Sequence, residues 1–352
     1  MDYQKLLDEL ITATIAEGAS DMHLGEDRFP ALRIAGSLLP LAKYKPLAHE
    51  DVLGILGVLL DNVKRDRFLA EQEIDFAYNF RNEARLRGSA FFQKGKIGIV
   101  LRLIPKVRGL AELSLPQVLE NFCRRQQGFF LIVGPTGSGK STTLAAMIEL
   151  VNQERAEHII TIEDPIEFVY EPKQSIIDHR EVGIDTRDFE TALTSSFRQD
   201  IDVLMIGEMR SPKTMAAAVT AAETGHLVFS TLHTNNASQT IDRIVSSFGP
   251  AEQDQIRAQL ANSLLGIFSQ RLVPKVAGGL IPVFELLINT PAVSNLIREK
   301  RVHEIDILIE TGSELGMVDL NRSLAELVRR GEISIESARS VSLNPKGLDR
   351  IL

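Results

Sequence analysis

The segment Gly128-Phe-Phe-Leu-Ile-Val-Gly134-Pro135-Thr136-Gly137-Ser138-Gly139-Lys140-Ser141-Thr142-Thr143 sets an ammonium, a row of hydroxyls and a set of glycines directly after an apolar run. The spacing G-x-x-x-x-G-K-S suits a loop that cradles the phosphates of a nucleotide such as ATP. Glycines let successive backbone N–H groups turn inward on the phosphates, Lys140 reaches the β- and γ-phosphates, and the Ser141 hydroxyl ligates Mg²⁺. Two carboxylates end the apolar run His158-Ile-Ile-Thr-Ile-Glu163-Asp164-Pro165, and one of them could polarise an attacking water. Asp202-Val-Leu-Met-Ile-Gly207-Glu208-Met-Arg210 has the form of a Walker B strand, with Gly207 where an aspartate often stands. Glu208 is then left to serve Mg²⁺ through water, or the attacking water itself. In Ala222-Glu-Thr-Gly-His226-Leu-Val-Phe-Ser-Thr-Leu-His233 a histidine stands at each end of a strand, and the pair is expected to sense the γ-phosphate as donors. No H-x-x-x-H or paired cysteine supports a metal-ligand role for either histidine. Arg87 and Arg102 fall in neighbouring strands, where the pattern alone reads as solvated strand arginines.

These residues need a frame that delivers strand ends to one place. Apolar runs at 128–134, 158–163, 203–207 and 227–232, mostly followed by helical spacing, predict a doubly wound, mainly parallel sheet, whose ligands bind at the carboxyl ends of its strands. Before it, helical spacing at 3–17 and 49–71 and alternating strands at 75–80, 85–92 and 98–104 predict a smaller α+β domain. Pro105-Lys-Val-Arg-Gly109 is the charged, Pro/Gly-marked kind of stretch that joins domains. Beyond Pro282–Ile288 helical spacing dominates. The expected organisation is an N-terminal α+β domain over 1–105, a linker over 106–118, a P-loop domain over 119–275 and a helical C-terminal domain over 276–352.

Composition narrows the function classes. The 352 residues are 44% hydrophobic and 24% charged, ordinary for a globular chain of two to three domains. A net charge of −8 argues against a general nucleic-acid surface. The single cysteine, Cys123, excludes an intrachain disulfide framework and fits a small buried apolar residue in a reducing compartment. No apolar run approaches the ~18 residues of a membrane span, and the first residues lack the form of a signal peptide, so a cytosolic chain able to dock on a membrane is expected.

Taken together, G-P-T-G-S-G-K-S-T-T, I-T-I-E-D-P-I-E-F, I-G-E-M-R and A-E-T-G-H-L-V-F-S-T-L-H-T-N-N-A resemble the secretion-ATPase superfamily of type II secretion and type IV pili, and within it the PilT-type retraction branch. The likeness runs nearly the whole length, through G-A-S-D-M-H-L, R-L-R-G-S-A-F-F-Q, N-L-I-R-E and G-M-V-D-L-N-R-S-L. It implies a RecA-like ATPase domain behind a PAS-like α+β domain, assembled as a homohexameric ring. It also implies that Lys140 and Ser141 meet phosphate and Mg²⁺, that Glu163 is the catalytic carboxylate, and that Glu208 is the Walker B glutamate. His226 and His233 match the family's histidine box. Arg87 and Arg102 match arginines brought to the triphosphate as fingers, which reverses the solvated reading. The implied setting is the cytoplasmic face of the inner membrane at the pilus base, with a PilC-type platform protein and a paralogous retraction ATPase as partners, and no nucleic acid. Ile201 and Ser211 depart from the branch, where proline and aspartate are usual; neither touches the phosphate machinery. A PilU-like accessory ATPase, an assembly or type II secretion ATPase, and a nucleic-acid translocase are the alternatives.

Overall fold

A computed structural model describes residues 2–34, 36–81 and 84–352. The chain divides into two units, Met1–Lys106 and Val107–Leu352. In the first, strands β1 (Asp21–Gly25), β2 (Ala31–Ile34), β3 (Ser37–Pro40), β4 (Glu73–Phe80), β5 (Ala84–Gln93) and β6 (Lys96–Ile104) form an antiparallel sheet in the order β3-β2-β1-β6-β5-β4. Lys94 and Gly95, both at positive φ, make the two-residue turn between β5 and β6, matching the right-handed twist of the flanking strands. Helices Tyr3–Ala16, His49–Leu59 and Asn62–Glu71 bury Leu7, Leu10, Ile55, Leu56 and Phe68 in the same core as Leu86, Ile99 and Leu101 of the sheet.

The second unit is built on β7 (Gly128–Val133), β8 (His158–Glu163), β9 (Ile176–Glu181), β10 (Val203–Ile206), β11 (Leu227–Leu232), β12 (Leu264–Pro274) and β13 (Leu280–Ile288), in the order β13-β12-β7-β11-β10-β8-β9. Every pair is parallel except the β12–β13 hairpin. Strands β7, β10 and β11 are buried along their whole length. Helices cover both faces, which is why these strands read as unbroken apolar runs and not as alternating ones. Cys123 lies buried at the end of helix Leu119–Cys123, and burial pushes its thiol up to about 12.

Two strands were not expected. β12 carries the polar run Ser269-Gln270-Arg271 inside an apolar stretch, and β9 is a polar edge strand, Ile-Ile-Asp-His-Arg-Glu. The position 275/276, expected as a domain boundary, falls in the turn of the β12–β13 hairpin. Val283, Leu286 and Leu287 of β13 are buried and belong to the sheet. Helices Leu320–Arg329, Ile335–Val341 and Pro345–Ile351 then pack Leu324, Ala338 and Leu348 on Val273, Ile281 and Val283 of that hairpin. Among the described residues no helix is long and apolar enough to cross a membrane.

Candidate active site

β7 runs into the loop 134–139, and helix Lys140–Glu154 begins at once. The turn needs its glycines: Gly134, Gly137 and Gly139 all stand at positive φ, and a Cβ on Gly134 would lie 2.3 Å from the Gln270 carbonyl oxygen. Lys140 is only 8% exposed, and its Nζ donates to the carbonyls of Gly134 (3.0 Å) and Pro135 (2.9 Å). Burial lowers its pKa, and the nearby Glu167 and Glu208 oppose that shift. The ammonium is therefore held mainly by two carbonyls of its own loop, an arrangement a phosphate can displace.

A cavity of about 470 Å³ opens at the carboxyl ends of the strands, with Lys140, Ser141, Glu163, Glu208 and His233 in its wall. Glu163 ends β8 and is buried. Its Oε2 accepts from the Glu167 amide (3.1 Å), while its Oε1 has no hydrogen-bond partner. The Asp164–Pro165 peptide that follows is cis. Gly207, beyond β10, stands against Glu163: a Cβ there would lie 3.5 Å from Glu163 Cα. That is ordinary van der Waals contact, so a side chain at 207 would pack beside Glu163. Thr231 Oγ1 donates to the Gly207 carbonyl (2.6 Å), fixing the turn that carries Glu208. Glu208 pairs with Arg210 through one oxygen and lies 3.5 Å from His233 Nε2 through the other. His233 Nδ1 is in turn 3.5 Å from Lys140 Nζ.

His226 is not part of this cluster. It precedes β11 beside the start of β7, where its carbonyl accepts from the Gly128 amide (3.0 Å), and its Nδ1 lies 3.0 Å from the Ala221 carbonyl oxygen. Six strand residues separate it from His233, about 20 Å. The two histidines that were expected to sense one phosphate thus stand at opposite ends of β11, and of the two His233 lines the cavity.

Arg87 and Arg102 stand directly opposite each other on β5 and β6. Arg87 is exposed. Arg102 is 66% exposed at its side chain, and its Nε donates to Asp21 (2.8 Å). Burial pushes the Asp21 carboxyl up, but hydrogen bonds from Ser20 and Arg102 outweigh it and hold it below the usual range.

Several residues of the site carried no signal that the spacing rules detect. Gln270 Nε2 donates to the Ser138 carbonyl (2.8 Å), and its Oε1 accepts from Thr143 Oγ1 (2.6 Å), so β12 clamps the binding loop on both sides. Ser269 Oγ (2.8 Å) and Arg271 Nη2 (3.0 Å) both donate to the Asn235 carbonyl, fixing the loop that carries His233. Glu285 accepts from the Ala237 amide (2.8 Å) at the start of the next helix, Ala237–Ser246. The one hint in the sequence was the S-Q-R run interrupting apolar residues.

Known proteins bear on this site. A family model described as "Type II/IV secretion system protein" matches residues 2–280. The type IV pilus retraction ATPase PilT of Pseudomonas aeruginosa is 42% identical over 96% of this chain and 98% of its own length. The type IV pilus ATPase PilU of the same organism is 41% identical over 96% of this chain and 88% of its own length. A crystal structure of the pilus retraction motor PilT with bound ADP superposes with a TM-score of 0.91, at 42% identity, covering 97% of this chain and 98% of that one. A phosphate loop, two strand-end glutamates and a histidine converging on one cavity, in a fold shared along almost the whole chain, make this a RecA-like P-loop ATPase that belongs to the type II/IV secretion system protein family.

Proposed function

We propose that this protein couples ATP hydrolysis to type IV pilus retraction, and so to twitching motility. The observation that carries the chemistry is the convergence of Lys140, Ser141, Glu163 and Glu208 on one cavity, with a buried carboxylate oxygen of Glu163 left without a partner. The retraction assignment rests on the likeness to PilT over both chains' lengths.

In this reading the loop 134–142 holds the phosphates through backbone N–H groups beyond Pro135, which has none, and Lys140 leaves its two carbonyls to neutralise the β/γ charge. The Ser141 hydroxyl and Glu208 would hold Mg²⁺. One hydroxyl, one carboxylate acting through water and the nucleotide's own phosphates is a donor set that this ion accepts. That ion, when bound, would supply positive charge against the negative charge that develops on the phosphates. Glu163 takes the proton of the attacking water through its free Oε1. His233, between Glu208 and Lys140, donates to the γ-phosphate. Arg87 and Arg102 stabilise charge that develops in transfer, so that replacing either with alanine lowers turnover far more than ATP affinity. His226 has no catalytic role in its own chain's site. The chain works as a homohexamer at the inner-membrane base of the pilus, against a PilC-type platform protein and beside a paralogous ATPase.

Steady-state hydrolysis by the purified chain tests the chemistry. Lys140→Ala deletes a charge that supports no apolar core. It should retain less than about a tenth of wild-type turnover with its circular dichroism unchanged, since a lost phosphate contact costs about 3 kcal/mol or more in the transition state. Higher residual turnover would remove the loop from the mechanism. A wild-type chain that binds ATP without hydrolysing it would instead support the accessory, PilU-like role.

A further inference from the structure

Deepening the assignment of Glu163 as general base, on which it rests, we propose that His179 is a positioning residue for that base and that Tyr170 is the plate that holds its ring. β8 and β9 run parallel with Thr161 beside His179 and Glu163 beside Glu181. Residues 161, 163 and 179 therefore project from the same face of the sheet. His179 Nδ1 lies 2.9 Å from Thr161 Oγ1 and 3.9 Å from Glu163 Oε1. The imidazole stacks flat on the Tyr170 ring, centroids 5.4 Å apart and planes 3° from parallel.

One polar atom of each of these three residues is buried without a hydrogen-bond partner: Glu163 Oε1, His179 Nε2 and the Tyr170 hydroxyl. Orphaned buried polar atoms are rare and costly, and a cluster of them around one carboxylate marks a place built for something other than packing. Burial, then Glu163 and Glu149, pushes the Tyr170 phenol well above its ordinary pKa, so it stays neutral beside the carboxylate.

The ring is stacked on Tyr170 and held at Nδ1 by the Thr161 hydroxyl. A shift of about 1 Å that passes the Nδ1–H from Thr161 Oγ1 to Glu163 Oε1 makes the hydrogen bond to the carboxylate. Glu163 Oε2 is already held by the Glu167 amide. With both oxygens oriented, one lone pair of Oε1 remains to face the attacking water. Each carboxylate oxygen accepts two hydrogen bonds, so the histidine and the water do not compete.

The test is a double-mutant cycle on the full chain, reading kcat and KM for ATP in wild type, His179→Ala, Glu163→Gln and the pair, with ADP affinity and thermal midpoint recorded for each. His179→Ala should lower kcat about tenfold, the kinetic equivalent of one hydrogen bond to a charged group, with KM changed by less than about twofold. His179→Gln, which keeps an N–H donor, should recover part of the loss. In the Glu163→Gln background His179→Ala should cost nothing further, because residues that act as a unit are not additive. Wild-type kcat in His179→Ala, or the same fractional loss in both backgrounds, would overturn the proposal. Wild-type turnover in Glu163→Gln alone would overturn the base assignment itself, without reference to His179.

Discussion

Gln270 reaches the binding loop from 132 residues away in sequence, and its amide holds a carbonyl on one side and a hydroxyl on the other. Gln270→Ala leaves both unpaired in a buried place, at a cost of about 1–3 kcal/mol of stability. Because the clamped backbone is the surface that meets phosphate, the same variant should weaken ADP binding, measurable by calorimetry; unchanged affinity would mean the loop holds its shape unaided. The two glutamates should respond differently from the clamp. Glu163→Gln and Glu208→Gln keep the shape of each side chain and lose its charge, so ATP binding should persist while turnover falls. If affinity fell as steeply as turnover in Glu163→Gln, the base would be Glu208. Lys140 and Ser141 were legible in the sequence because the loop's chemistry is local, a matter of consecutive N–H groups and one lysine. His179, Tyr170 and Gln270 were not, since what gives them a role is which strand pairs with which, and no spacing rule reports that. The separation of His226 from His233 was hidden for a related reason: the sequence shows a strand with a histidine at each end, and only the folded sheet shows that the His233 end lines the cavity.

At the scale of elements, the β12–β13 hairpin does work that the sequence assigned to no one. It closes the sheet beside β7, clamps the binding loop, anchors the loop after β11 and receives the C-terminal helices. The parallel strands were legible as apolar runs. β12 was not, because its buried Ser269, Gln270 and Arg271 break the run for the sake of hydrogen bonds to neighbouring loops. One of the hairpin's contacts depends on pH. Burial raises the Glu285 carboxyl from 4.5 to about 7; the Ala237 amide offsets this in part, Asp306 and Asp319 add to it, and Arg271 opposes it. The native chain thus keeps a proton that the unfolded chain gives up. The resulting stability is fully present below about 4.5 and is lost as pH rises through about 7, a change on the order of 3 kcal/mol. Glu285→Gln retains an oxygen for the Ala237 amide and has no charge to bury. It should match wild type in urea unfolding at acid pH and exceed it at pH above about 8. A difference between the two that did not change with pH would show that Glu285 stays ionised in the fold.

For the molecule as a whole, the chemistry and the biological direction of the motor rest on different grounds. The cavity would serve assembly, export or retraction equally well, since each needs the same water attack on the same phosphate. The argument for retraction comes from the extent of the likeness. The structural match to a retraction motor covers nearly all of each chain, and the identity to PilT spans 98% of that protein. A nucleic-acid translocase fits poorly with a net charge of −8, because phosphate backbones are held by clustered cations. A strain lacking this protein should therefore still build pili, and carry more or longer ones, because assembly continues while removal stops. It should fail to spread by twitching. Electron microscopy of surface pili and a surface-spreading assay read the two outcomes separately. Complementation with Lys140→Ala should restore neither phenotype, which ties motility to hydrolysis and not to the mere presence of the protein. Bald cells would reverse the direction, making this the assembly motor with its ATPase site intact. Normal piliation with normal spreading, alongside full hydrolysis in vitro, would move the protein to another machine of the same family.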